Sequence, residues 1–203
     1  MSSAAYTLAF GSLTQSVAPA SEPVTRAEAK LFCRVDGDSD DSLFDDVVIP
    51  AAREHVELFT GRALINQTLL YSLPEFPACD DGVIRLPKPP LASVTSIAYV
   101  DTDGASQTVD SWQSDIRSSP GRIKPAYDAS WPATRDVLNA VTITYVAGYG
   151  ASGSSVPADI RKALLTLILH FYDERAAIIA GAAAETPKAV DSLLWPYRVL
   201  LDF

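Results

Sequence analysis

The chain has 203 residues, 48% of them hydrophobic, which is enough for one packed domain or one domain carrying an insertion. Its 16 basic and 25 acidic side chains give a net charge of −9, which argues against a basic nucleic-acid clamp. Two cysteines, Cys33 and Cys79, make no disulfide framework, no run approaches the roughly 20 apolar residues of a membrane span, and no Lys or Arg precedes Arg26, so no signal peptide is apparent. The expectation is a soluble protein of a reducing cytoplasm, with Cys33 a small buried residue. The acidity is uneven. Residues 1–61 carry a net −6, residues 62–150 a net −2 and residues 151–203 a net −1.

Residues 1–23, rich in Ala and Ser with one charge at Glu22, read as a loose arm with a short extended piece at Tyr6 to Phe10. Thr25-Arg26-Ala27-Glu28 is a capping box. It opens a short helix to about Arg34, with Ala27, Leu31 and Val35 expected inward. The acidic turn Asp36 to Asp41 leads into DDSLFDDVVIPAAREHVELFTGRAL, Asp40 to Leu64. There Leu43, Phe44, Val47, Val48, Ala51, Ala52, Val56 and Phe59 recur at helical spacing. Asp40 or Asp41 can cap the start, and Gly61 fits a left-handed end. Pro50 predicts a kink or short break, because proline lacks an N–H and clashes one turn back.

After Gly61 the period changes to two. Leu69, Tyr71 and Leu73 predict a strand, followed by Gly82 to Leu86 and Val94 to Asp101. Asp101-Thr102-Asp103-Gly104 is a turn across which Gln107 to Val109 pairs back. Trp112 to Arg117 and Arg122 to Lys124 flank the turn Ser119-Pro120-Gly121, and Asn139 to Ala147 is the clearest strand. These make six or seven short strands of an antiparallel sheet or small sandwich. A flexible connection, Gly148 to Ser155, leads to a helix with Pro157 in its first turn and a stripe of Ile160, Leu164, Leu167, Ile168 and Phe171. Thr186 can cap a last helix, with Pro187 at its first position. The fold class is therefore α+β: a helical core formed by both chain ends, residues 24–61 and 156–203, with an antiparallel β unit, residues 62–155, inserted between them.

Several stretches form a series: PVTRAEAK, AAREHVELFTGRAL within the central helix, LPKPPLASVTSIAYVDTDG, PGRIKPAY, SWPATR, NAVTITYVAGYG, VPADIRKALL and LLWPYRV. Over about residues 20–200 the chain resembles the head–tail connector, or adaptor, proteins of tailed bacteriophages and prophages, in the branch with a β-rich insertion. Pro50 departs from the pattern expected in the central helix. The resemblance implies a non-enzymatic structural protein of the virion, assembled in the host cytoplasm as a ring of about a dozen copies. Its partners would be itself, the portal and a tail or stopper protein. DNA would pass through the lumen without sequence-specific binding, and neither a cofactor nor a membrane is implied.

Other motifs carry less. Gly148 to Gly153 matches GxGxxG after a strand, but the next helix begins too late for its N-terminus to meet a pyrophosphate. Asp36, Asp38 and Asp40 alternate like the start of a calcium loop, yet Asp41 and Val47 stand where Gly and Glu are needed. His55 and His170 lie on predicted helices without a second ligand at metal spacing. The serines include no nucleophile elbow. No catalytic, cofactor or metal residue is assigned.

Two surfaces remain as candidate interfaces. Arg117, Arg122, Lys124 and Arg135 form a basic cluster, read as a charge-protected sheet edge, as a contact for the acidic helices of a neighbouring subunit, or as a DNA contact. Trp195, Tyr197 and Phe203 close the chain and pack on its own core or dock into a partner such as a portal. The alternative function is a β-rich ligand- or carbohydrate-binding module with helical flanks, for which Trp112 and Trp131 would form an aromatic platform. A nucleotide-dependent enzyme rests only on the glycine motif.

Overall fold

Side chains that alternate along a strand face opposite sides of a sheet, so the period-two stretches can bury one face each. The computed structural model describes residues 11–78, 80–174 and 187–199, and in it these stretches are strands. They are β1 (Ser12–Val17), β2 (Gln67–Leu73), β3 (Ile84–Leu86), β4 (Leu91–Val100), β5 (Ser106–Thr108), β6 (Trp112–Asp115), β7 (Gly121–Pro125) and β8 (Val141–Ala147). Two antiparallel sheets result, ordered β1-β2-β8-β4-β5 and β3-β7-β6. NAVTITYVA is central as its pattern requires. Val141, Ile143, Tyr145 and Ala147 are buried, and β8 pairs with β2 on one side and β4 on the other. Tyr145 donates its phenol proton to the Pro87 carbonyl at 2.7 Å, and burial, then Tyr71, pushes that phenol far above its ordinary range. Asp101 closes the β4–β5 hairpin by accepting N–H bonds from Asp103 and Ala105.

Ser12–Val17 corrects the reading of a loose arm at that point. It is an edge strand in register with β2 from Ser12↔Ser72 to Val17↔Thr68. The extended piece read at Tyr6 to Phe10 lies outside the described residues.

The helices are α1 (Arg26–Cys33), α2 (Asp41–Leu43), a π turn (Phe44–Val48), α3 (Ile49–Thr60), α4 (Ala158–Asp173) and α5 (Lys188–Leu194). The capping box forms as read. Thr25 Oγ1 accepts the Glu28 N–H at 3.3 Å, and a Glu28 carboxylate oxygen accepts the Thr25 N–H at 2.9 Å. The inward face of α1 differs from the expectation. Ala29 is buried, whereas Ala27 is exposed and Leu31 is 82% exposed.

The central stretch breaks where Pro50 implies. Because residue 50 has no N–H to give, the ladder widens, and the Ile49 N–H reaches the Phe44 carbonyl five residues back. The extra residue rotates the stripe. Phe44, Val48, Ile49, Ala52 and Val56 are buried, but Val47 and Ala51 are exposed. Gly61 ends α3 at φ 69°, as expected. Asp40 flanks the start without a side-chain cap bond and instead accepts the Tyr172 hydroxyl proton at 2.5 Å. Pro157 and Pro187 are N-cap residues of α4 and α5 rather than first-turn residues; Thr186 lies outside the described residues.

Two units divide the described chain. One comprises residues 11–18 and Gln67–Ala147 and holds both sheets; the other comprises Pro19–Asn66 and Gly148–Val199 and holds α1 to α5. The helical unit has one core, from Ala29 of α1 through Phe44, Ala52 and Val56 to Ile160, Leu164, Leu167, Val190 and Leu194. Helices from the two chain ends cover each other's stripes there, with Phe44 stacked on Tyr172 at 4.8 Å between centroids. Each fully buried Leu or Ile contributes about 1.5–3 kcal/mol.

Thr25→Ala is expected to cost about 1 kcal/mol, the usual value of a Ser or Thr cap. The backbone bond from Thr25, foremost, holds the Glu28 carboxyl below its ordinary 4.5. A depressed folded-state value adds stability above the unfolded value, and that stability is lost as pH falls through the folded one. The alanine variant keeps the backbone bond from residue 25 and, of the bonds to the Glu28 carboxylate, loses only the hydroxyl's. The gap between wild type and variant in chemical denaturation should therefore narrow only slightly as pH falls, the lost acceptor for the Glu28 N–H persisting throughout.

Candidate interaction surfaces

The segments AAREHVELFTGRAL and LLWPYRV meet within the helical unit. Arg53 on α3 is held by Glu22 at 2.9 Å and lies 4.0 Å from Glu57, one helical turn on. Burial, opposed by Arg53, raises the Glu22 carboxyl above its ordinary value. Glu57 is itself buried, and its Oε1 accepts the N–H of buried Leu64 at 3.0 Å. The carboxylate thereby satisfies the chain after it leaves α3 at Gly61. Beyond that glycine Arg62 donates Nε–H to the Tyr197 carbonyl at 2.5 Å, and the Val199 N–H reaches the Thr60 carbonyl at 2.8 Å. Arg198 lies over the Phe59 ring at 5.7 Å and over the Trp195 ring at 5.3 Å.

The aromatic terminal residues therefore divide. Tyr197 is half-buried and tied to Arg62, Trp195 is 61% exposed, and Phe203 lies outside the described residues. Glu57 and Arg62 were not singled out from sequence. A charged residue within a helix reads as solvated, and only closure of the chain sets Leu64 against Glu57.

In the strand unit, Arg122 and Lys124 share the outer face of β7 and are exposed. Register adds a third cation, since Arg85 on β3 stands directly opposite Arg122. Across the other edge Asp115 on β6 receives Arg122 Nη2 at 2.8 Å. Ser118, then Arg122 and the Arg117 N–H, hold the Asp115 carboxyl well below the usual carboxylate range. Arg117 is exposed in the loop after β6. Arg135 is placed elsewhere, with its guanidinium packed against Gly104 at the β4–β5 turn. The structure thus brings Arg122, Lys124 and Arg85 onto one sheet face, with Arg117 flanking and Arg135 at another element.

The remaining motifs are absorbed by packing. Gly148 and Gly150 sit against the chain after α3, where the Asn66 N–H donates to the Gly150 carbonyl at 2.9 Å and the Tyr149 N–H to the Leu64 carbonyl at 3.2 Å. This link is close-packed rather than flexible. Asp38 pairs with Lys30, as does Asp41 at 2.6 Å. His55 packs edge-on against Phe171, and His170 lies 3.4 Å from Glu174. Cys33 is half-buried, and burial raises its thiol, with Asp173 adding to the shift. Among the described residues no group of three His, Cys, Asp or Glu could hold a metal, and no helix is long and apolar enough to cross a membrane. Trp131 stacks on Phe76 at 4.7 Å and donates its indole N–H to the Gly82 carbonyl, while Trp112 is half-buried, so they form no open platform.

The combination of helices from both chain ends and antiparallel strands from the middle of the chain recurs in chains of phage-like particles. No family model and no curated protein matches the sequence. Among solved structures, the chain is similar to a chain in the neck of an empty gene transfer agent particle computed with C6 symmetry. The two are 27% identical over 95% of this chain and 97% of that one, with a TM-score of 0.76. It is also similar to a chain of the virion of the native gene transfer agent particle, 25% identical over 94% and 97% with a TM-score of 0.75. A third likeness is to the neck of the native particle computed with C12 symmetry, 25% identical over 95% and 97% with a TM-score of 0.63.

Proposed function

We propose that this protein is a structural head–tail connector of a tailed phage, prophage or related particle. Copies close into a ring of about a dozen below the portal, extend the channel for DNA and receive a tail or stopper protein. The observation that carries this reading is likeness along nearly the whole length of both chains, 95% and 97%, to a component of a particle neck. Six- and twelvefold symmetry of the similar necks supports a ring. A net charge of −9 suits a lumen that lets the phosphate backbone slide past. In this reading the core of residues 24–61 and 156–203 assembles, residues 62–155 are the insertion, and the protein performs no catalysis.

A ring requires a heterologous interface, in which two different faces of each subunit meet and the rotation closes. The acidic N-terminal helices of one copy and the β7 cations of the next are one complementary pair. Exposed ion pairs are worth about 0–1 kcal/mol each, so they select the register while apolar contact supplies the affinity. Arg122 is already engaged by Asp115, and reversing it would set two carboxylates together. Lys124→Glu is the cleaner change. It is expected to hinder ring closure, read by native mass spectrometry in the presence of portals, with the melting temperature nearly unchanged; intact assembly would remove this contact from the account.

A further inference from the structure

An edge strand leaves a row of N–H and C=O groups without a strand partner, and folded proteins guard such edges by shortness, charge or proline. Among the described residues the edges are β1 and β5 of one sheet and β3 and β6 of the other. β3 and β5 are three residues long, and β6 has four and ends on Asp115 in its bond to Arg122. β1 has none of these guards. SLTQSV is six residues long, carries no charge and no proline, and exposes every side chain but that of Leu13. A bulge interrupts it between Gln15 and Val17, so Ser12 to Gln15 is the regular stretch of this edge.

The chain that leads into β1 has a complementary pattern. In residues 6–10, YTLAF, Tyr6, Leu8 and Phe10 alternate with Thr7 and Ala9, again without charge or proline. As a strand, such a segment sets Tyr6, Leu8 and Phe10 on one face, which has to be covered. The sheet offers that cover. Leu13 and Gln15 stand opposite Tyr71 and Leu69, and paired residues share a face, so a strand laid along β1 continues the face that buries Leu69 and Leu73. Gly11 offers no tight return onto its own β1. Two-residue hairpin turns need positive φ, whereas Gly11, the only glycine before β1, lies outside that range and packs closely on the Tyr71 ring.

We propose that residues 6–10 of one copy add as a further strand to the β1 edge of the next copy, alongside Ser12 to Gln15. The inference rests on the ring reading and names a contact that the ring uses. Residues 1–10 span about 33 Å when extended, against about 4.8 Å between neighbouring strands, so the arm is long enough to reach an adjacent subunit. Main-chain bonds give strand addition its affinity, and alternate side chains give it register. An arm and the edge that receives it are different surfaces, so the contact is head-to-tail and builds a ring rather than a two-fold dimer. Neither segment carries a charge, so this contact holds at salt concentrations that screen the β7 cations.

The test uses the full chain with portal rings and reads the concentration needed to form a closed ring. Thr7→Pro combined with Leu8→Pro is expected to raise it by about tenfold or more, because adjacent residues of a strand point opposite ways and one of the two prolines removes a donor that faces β1. The monomer melting temperature should stay near wild type. A photo-cross-linking benzoylphenylalanine carried at position 8, in rings built from isotope-labelled and unlabelled copies, is expected to give peptides joining position 8 to Ser12–Val17 with one of the two labelled. Peptides labelled in both halves or in neither, and never mixed, would place the arm on its own sheet and overturn the proposal. A large fall in the monomer melting temperature of the proline variant would do the same. Cross-links that avoid Ser12–Val17, whether they reach the portal or residues 200–203, would overturn it too, as would rings that close normally with both prolines; the ring reading survives each of these results. A wild-type chain that forms no ring on portals would overturn the ring reading, and this contact with it.

Discussion

Replacing Glu57 by alanine is expected to destabilise the protein by about 3–5 kcal/mol, the range for breaking a buried charged network by removing one partner. Two losses combine. The Leu64 N–H, buried with its residue, loses its acceptor, and a buried donor left without a partner costs about 1–3 kcal/mol. Arg53, whose side chain is only 11% exposed, is left with less compensation for its charge. Glu57→Gln keeps an acceptor for Leu64 and should cost well under half as much. Urea unfolding of both variants checks the account, and equal costs would show that the charge, not the bond to Leu64, is what matters. Against a typical total of about 5–15 kcal/mol, that is a large share of the stability of a domain.

Gly148→Ala is the second large effect. The glycine sits at φ 145°, and a Cβ there would stand 2.4 Å from the Asn66 nitrogen and 2.5 Å from the Ile65 carbonyl carbon. Both obstacles are backbone, so no side chain can swing aside. Overpacking costs about 1–3 kcal/mol and a forced unfavourable backbone conformation about as much again, so a loss of about 2–5 kcal/mol is expected. Thermal unfolding checks it. A variant within 1 kcal/mol or so of wild type would mean that the link after β8 can relax, contrary to its close packing.

These two residues show what could be read from the sequence. Locally determined features were legible: the Thr25–Glu28 box, the left-handed Gly61, the period-two alternation of β8 and the break announced by Pro50. Features decided by tertiary closure were not. Along α1, only eight residues long, Ala27, Ala29, Leu31 and Phe32 allow more than one inward face, and packing on α4 chose that of Ala29. Ser12–Val17 gave no signal because an edge strand with mostly exposed side chains needs no apolar alternation. The π turn could be anticipated as a break but not as a rotation that carries Val47 outward. Among the candidate interface residues, spacing found Arg122 and Lys124, which one strand holds together. It could not find Arg85, which joins them through strand register, nor see that Arg135 folds away to another turn.

The central claim, a connector that rings the portal, is tested most directly by incubating the purified chain with portal rings of its own particle and imaging the mixture by cryo-electron microscopy. The account predicts a closed, cyclically symmetric ring of this chain seated coaxially on the portal around an open channel. A chain that remains monomeric in the presence of portals would contradict it.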